Sequence, residues 1–180
     1  MKMTLKLSGM AVLAIALMAC NRQPEAPQPS TATTPASTAP VAADAGATAA
    51  PDTLLAQAGD GKIATQEGVG IVEGNVLTGT GTAGFLAFGP YAPLAAGNYT
   101  VTFTGSVPTL PEGAVVRFDV TSSTGSQIHG EHVVSVANAE SGEIAKLDFS
   151  LPTAVTDLEA RVQVPEGAKV VLQSYVVTKR

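Results

Sequence analysis

The sequence contains no tryptophan, one cysteine, and eight aromatic residues in all, five Phe and three Tyr, within 180 residues. Without tryptophan, the strongest stacking side chain is missing, which counts against a broad, flat polysaccharide-binding face. One cysteine cannot form an intramolecular disulfide framework or a cysteine-rich zinc module. Charged residues make up 14% of the chain, the net charge is −5, and no basic run occurs, so nucleic acid is not an expected partner. The apolar fraction is nevertheless 45%, and mean hydropathy is +0.24, values that exclude a wholly disordered, charge-swollen chain. Every aromatic lies between residues 85 and 175, so the packed core is expected there.

The first residues, MKMTLKLSGMAVLAIALMAC, have the form of an export leader. Lys2 and Lys6 make a short positive region, and an apolar stretch follows over residues 10–18. That stretch is much shorter than the roughly 20 apolar residues needed to span a bilayer. Residues 17–20, Leu-Met-Ala-Cys, resemble the lipobox of bacterial lipoproteins. The resemblance implies cleavage after residue 19, with the Cys20 thiol accepting a diacylglyceryl group and palmitate-type acylation completing the anchor. An unpaired thiol would otherwise be a liability in an oxidising compartment. Each buried methylene adds about 0.8 kcal/mol, so two or three acyl chains hold a protein stably on a membrane. In the lipoprotein pattern an aspartate after the cysteine favours inner-membrane retention. Asn21 and Arg22 stand here instead, which points to the outer membrane of a bacterial envelope.

Residues 20–52 are expected to form the lipidated cysteine and a disordered tether. They hold half of the twelve prolines and are otherwise rich in Ala, Thr and Ser. Their reach lies between about 30 Å as a flexible coil and about 100 Å as polyproline II. The chain therefore divides into a signal peptide (1–19), a tether (20–52) and a domain (53–180). Removing Lys2 and Lys6 with the leader leaves the side chains at −7. An acidic mature protein is not drawn to anionic phospholipid or phosphate by charge.

In the domain the hydrophobic period is two. Tyr99, Val101 and Phe103 alternate with Thr100, Thr102 and Thr104; Val116, Phe118 and Val120 alternate with Arg117, Asp119 and Thr121. Leu147, Phe149 and Leu151, and then Leu158, Ala160, Val162 and Val164, do the same with polar partners. Alternation of this kind marks strands with one buried and one wet face, as in antiparallel sheets. Gly and Pro turn signals separate the runs, and the pattern predicts an all-β, antiparallel β-sandwich. The last run, KVVLQSYVVTK, is apolar on both faces and suits a central strand. Residues 53–58, TLLAQA, read either as one helical turn or as the end of the tether.

The stretch GFLAFGPYAPLAAGNYTVTF, residues 84–103, resembles the galactose-binding-like, carbohydrate-binding-module type of jelly roll. The matching residues are Gly89, Pro90 and Tyr91 in the turn, then Leu94, Gly97 and Tyr99 at the entry to a long strand. Residues 116–128, VRFDVTSSTGSQI, resemble the next strand and hairpin, with Asp119 and Val120 in matching places. LEARVQVP and KVVLQSYVVTKR resemble the closing strand pair. The likeness implies a jelly-roll sandwich, a fold that hosts sugar binding, protein binding and purely structural roles. Tyr91 and Tyr99 are expected to pack in core and corner positions, with the Tyr99 hydroxyl reaching a backbone group.

Signs of catalytic chemistry are sparse. The only histidines, His129 and His132, flank Glu131 in HGEH, which reads as an exposed hairpin turn and not as a metal site. No GxSxG elbow occurs, and the glycines of residues 79–84 lack the lysine and helix of a phosphate loop. Asp119, Asp148, Asp157 and Glu159 occupy outward strand positions, where carboxylates are usually solvated. No enzyme activity, cofactor or metal is expected.

Two functions follow. In the first, the sandwich binds a glycan or another envelope ligand through Tyr91, Arg117, Asp119, His129, His132 and Arg161, the polar or amphipathic residues of its outer faces. In the second, the protein is a structural or protein-interaction lipoprotein with no small ligand. Both share the membrane anchor, which gives a first prediction. Cys20→Ser should accumulate as an unprocessed or mislocalised precursor in cell fractionation. A mature, membrane-bound Cys20→Ser protein would contradict lipidation at this residue.

Overall fold

The computed structural model describes residues 53–180. The expected signal peptide, Cys20 and the expected tether lie outside the described residues. Eleven strands are present: β1 (Thr53–Gln57), β2 (Gly70–Glu73), β3 (Val76–Gly79), β4 (Gly84–Ala87), β5 (Pro90–Leu94), β6 (Gly97–Thr109), β7 (Val116–Ser122), β8 (Gln127–Val134), β9 (Asn138–Leu151), β10 (Val155–Val164) and β11 (Lys169–Lys179). They form two antiparallel sheets, so the domain is an all-β sandwich. The six-stranded sheet runs β2-β3-β11-β6-β9, with β1 also on β11; the five-stranded sheet runs β4-β10-β7-β8, with β5 also on β10.

The alternating runs became strands in the predicted phase. Phe103, Phe118, Phe149 and Val162, taken from four strands, are all buried between the sheets. The Phe103 ring contacts Phe118 of the opposite sheet at a centroid distance of 5.0 Å and Tyr175 at 5.4 Å. Strand β11 is central, with β6 on one side and both β3 and β1 on the other. That is why its sequence is apolar on both faces. Tyr99 is buried at the start of β6, and its hydroxyl donates to the Ala95 carbonyl at 2.9 Å.

Residues 53–57 are neither a helical turn nor tether. They pair in antiparallel register with β11, from Thr53 opposite Thr178 to Gln57 opposite Ser174. The stretch is too short for its periodicity to tell helix from strand, and its edge position leaves only Ala56 fully covered.

Strands β4 and β5 both lie on the same strand, β10, at successive heights. β4 pairs with Val162, Gln163 and Val164, and β5 pairs with Val155, Leu158 and Glu159. Between them the edge is interrupted over Phe88 and Gly89. Phe88 bonds to Ala64 instead, in an isolated bridge.

Phe118 at the centre of the sandwich gives a second prediction. Phe118→Ala should destabilise the domain by about 3–5 kcal/mol, a large share of an ordinary 5–15 kcal/mol stability. Urea unfolding of both proteins measures this. A loss below about 1 kcal/mol would contradict the packing described.

Candidate functional site

The interruption between β4 and β5 opens a cleft of about 450 Å³, lined by Phe85, Phe88, Tyr91, Thr124, Glu159 and Arg161. Its volume is within the usual range of small-ligand sites, roughly 300–1,000 Å³. The local sequence explains the interruption. Gly89 has φ +120, and a Cβ there would lie 2.5 Å from the Lys62 carbonyl oxygen, so only glycine fits. The Gly89 carbonyl accepts two hydrogen bonds, from the Ala160 N–H of β10 at 2.8 Å and from the buried Tyr175 hydroxyl of the other sheet. Burial pushes the Tyr175 phenol far up, so it stays protonated and remains a donor.

Tyr91 follows with φ +58, a left-handed conformation unusual for a bulky residue. It is 50% exposed, which corrects the expectation of core or corner packing. Its hydroxyl donates to Glu159 Oε1 at 3.1 Å. Burial and the Glu159 charge raise its pKa, which keeps the phenol in the donor form. The other oxygen, Glu159 Oε2, accepts from the Thr121 hydroxyl at 3.3 Å.

Arg161 forms the second polar wall. Its Nε and Nη2 donate to the two oxygens of Asp119 at 2.7 and 2.9 Å. That bidentate bond is the main reason the guanidinium pKa is raised further. The Arg161 guanidinium carbon sits 5.2 Å from the Phe85 ring centroid, a cation–π contact. Asp119 and Glu159 are both buried, which corrects the expectation of solvated carboxylates. Both point outward from the sheet, as the alternation predicts. They are covered because Arg161 and Tyr91 lie over them.

The rim is the β7–β8 turn, where Ser123, Thr124 and Gly125 all have positive φ. Asp157 holds it by accepting from the backbone N–H groups of Ser123 at 3.1 Å and Thr124 at 2.9 Å. HGEH is therefore not the turn. It lies one step later, within β8, because the polar residues before it close the hairpin. His129 occupies a bulge opposite Val120 and Thr121, and its Nε2 is 2.8 Å from the Ser122 hydroxyl. His132 pairs with Phe118 and is half-buried. Among the described residues no cluster of His, Cys, Asp and Glu is arranged to hold a metal ion.

Of the six candidates, the structure brings Tyr91 and Arg161 to the cleft, with Asp119 directly behind Arg161. Arg117 is elsewhere, in an ion pair with Glu131 at 3.1 Å and beside a separate depression lined by Gln163 and Pro165. His129 stands near the rim but does not line the cleft, and His132 is not part of it. Sequence reasoning missed Phe85, Phe88, Thr124 and Glu159. Phe85 and Phe88 looked like core residues, and only their place at a broken edge exposes them.

No known protein-family profile matches the chain, and no curated protein matches it in sequence. Solved structures do match. The carbohydrate-binding module CBM6cm-2 of lichenase 5A from Cellvibrio mixtus, solved with cellotriose, aligns with a TM-score of 0.50 and 12% identity. That alignment covers 71% of this chain and 97% of the module. The C-terminal CBM6 of LamC, a marine laminarinase from Zobellia galactanivorans, aligns with a TM-score of 0.50 and 16% identity, covering 71% of this chain and all of that one. At such identities the likeness establishes the sandwich fold.

The rim generates a third prediction. The Thr124 and Ser123 N–H groups hold the Asp157 carboxyl below its ordinary value. A group with a lowered folded pKa stabilises above its unfolded value, and the effect is lost as pH falls through the folded value. Asp157→Asn should therefore melt below wild type at neutral pH, with the gap closing in acid. Burial likewise holds His129 below its ordinary 6.5, so acidification below that value favours the unfolded chain. Melting curves between about pH 7.5 and 5 should fall less steeply for His129→Asn than for wild type. Equal slopes would contradict the lowered pKa of the partly buried His129 imidazole.

Proposed function

We propose that this protein is a non-catalytic, lipid-anchored envelope protein whose sandwich binds carbohydrate in the cleft between β4 and β5. The observation carrying this reading is the composition of that cleft. Aromatic side chains at Phe85, Phe88 and Tyr91 lie next to a fixed polar pair, Glu159 and Arg161. Sugars present one apolar C–H face and a hydroxyl edge, and such a site offers a counterpart to both. Each polar wall group is already held by another protein side chain, so little ordering remains to oppose binding. The sandwich fold, shared with two carbohydrate-binding modules, adds support. Cys20 and the tether would hold the domain at the outer membrane of a bacterial envelope.

The protein-interaction alternative is favoured by one observation. Strand β2, at the sheet edge, exposes Ile71 and Val72, one on each of its faces. Exposed apolar residues on an edge strand are a common feature of pairing surfaces.

A glycan array probed with the chain lacking residues 1–20 separates the two readings. Because one structural neighbour holds cellotriose, β-linked gluco-oligosaccharides are suitable first probes. Tyr91→Ala should weaken the best binder about tenfold or more while leaving the fold intact, since the ring is half exposed. Arg117→Ala, outside the cleft, should leave affinity unchanged. An array silent to every glycan, beside one envelope protein captured specifically and lost on Ile71→Lys, would favour the alternative.

A further inference from the structure

The charges around the cleft narrow the class of glycan, given the carbohydrate reading above. Among the described residues one cation lines it, Arg161, and that cation is paired through two nitrogens with Asp119. Glu159 lies in the same wall and accepts only from the neutral hydroxyls of Tyr91 and Thr121. A third carboxylate, Asp157, holds the turn that carries Thr124. The ionised groups thus comprise three carboxylates and one guanidinium. Arg161 attracts both Asp119 and Glu159, but one positive charge does not balance two negative ones, so an incoming carboxylate or phosphate would meet the excess negative charge of Glu159 at short range, in surroundings partly shielded from water. There like charges repel several times more strongly than in bulk solvent.

The donor and acceptor inventory points the same way. The Asp119 pair uses Nε and Nη2 of Arg161 and leaves Nη1 outside it, beside Gly125 of the rim. Each ionised Glu159 oxygen has more than one lone-pair site, so one hydrogen bond to each does not exhaust it. The wall therefore offers a donor and an acceptor on neighbouring β10 positions of one face. A hydroxyl can accept from Nη1 while its own proton, or that of the next hydroxyl, is given to Glu159. A carboxylate can do only the first of these. We infer that the cleft selects uncharged glycans, read through adjacent hydroxyls by Arg161 and Glu159, and rejects glycans carrying carboxylate or phosphate.

Calorimetric titration of the full chain in detergent tests this. The probes are cello- and laminari-oligosaccharides and the same chains oxidised to uronate at C6. The neutral chain should bind at least about tenfold more tightly than its uronate, a difference of 1.4 kcal/mol. Raising the salt should narrow that gap by screening Glu159. Glu159→Gln, which keeps the shape and removes the charge, should narrow it further by raising uronate affinity. The salt series needs no variant and remains decisive if Glu159→Gln does not fold. Uronate binding as tight as or tighter than the neutral chain overturns the selection while leaving carbohydrate binding standing. Silence towards neutral and charged probes alike overturns both.

Discussion

The cleft depends on one backbone oxygen. The Gly89 carbonyl is held from β10 by the Ala160 N–H and from the opposite sheet by the Tyr175 hydroxyl. The second bond crosses the sandwich, from the central strand of one sheet to the broken edge of the other. A buried hydroxyl left without a partner costs about 1–3 kcal/mol, so the core itself enforces the position of Gly89. With Gly89 fixed, the edge cannot continue in register along β10. It is displaced over Phe88 and Gly89 and resumes at Pro90. The gap leaves Glu159 and Arg161 in the wall of the cleft.

Two buried carboxylates beside that gap need compensation, since an ionised group removed from water costs several kcal/mol unless paired. Asp119 receives a bidentate guanidinium, and Glu159 receives two hydroxyls. The difference matters. The bidentate Asp119 pair acts as a brace: it orients Arg161 and sets its guanidinium over Phe85. Glu159 is held in place but keeps its charge, so it remains the electrically active group of the wall.

Much of the fold was legible because a period of two leaves little freedom. Once Phe103, Phe118, Phe149 and Val162 are assigned inward, their neighbours must face outward, and the buried core follows. The Gly-Pro-Tyr turn was also legible, since φ-restricted and φ-permissive residues side by side mark a break. What it breaks against was not, because the partner strand lies almost seventy residues later, as the Tyr91–Glu159 bond shows. Alternation gave the direction of Asp119 and Glu159 but not their burial, which comes from side chains of other strands folding over them. HGEH was misplaced for a local reason. Its polarity resembles a turn, but the three consecutive positive-φ residues before it had already closed the hairpin.

On the proposed carbohydrate reading, Tyr91 gives the break a role. A bulky residue in the left-handed region costs of order 1–3 kcal/mol relative to conformations it prefers, whereas glycine adopts that backbone without the penalty. The side chain does not offset the strain through the core, because it is half exposed. Its hydrogen bond to Glu159 offsets a comparable amount, since a bond to a charged group contributes about 1.5–3 kcal/mol. Stability alone is therefore close to indifferent to a tyrosine here. What Tyr91 adds and glycine cannot is an aromatic surface lining the cleft together with Phe85 and Phe88, with its hydroxyl bonded to Glu159. On the proposed carbohydrate reading, backbone strain at a half-exposed aromatic in the wall of the cleft is the cost of presenting that surface to the sugar.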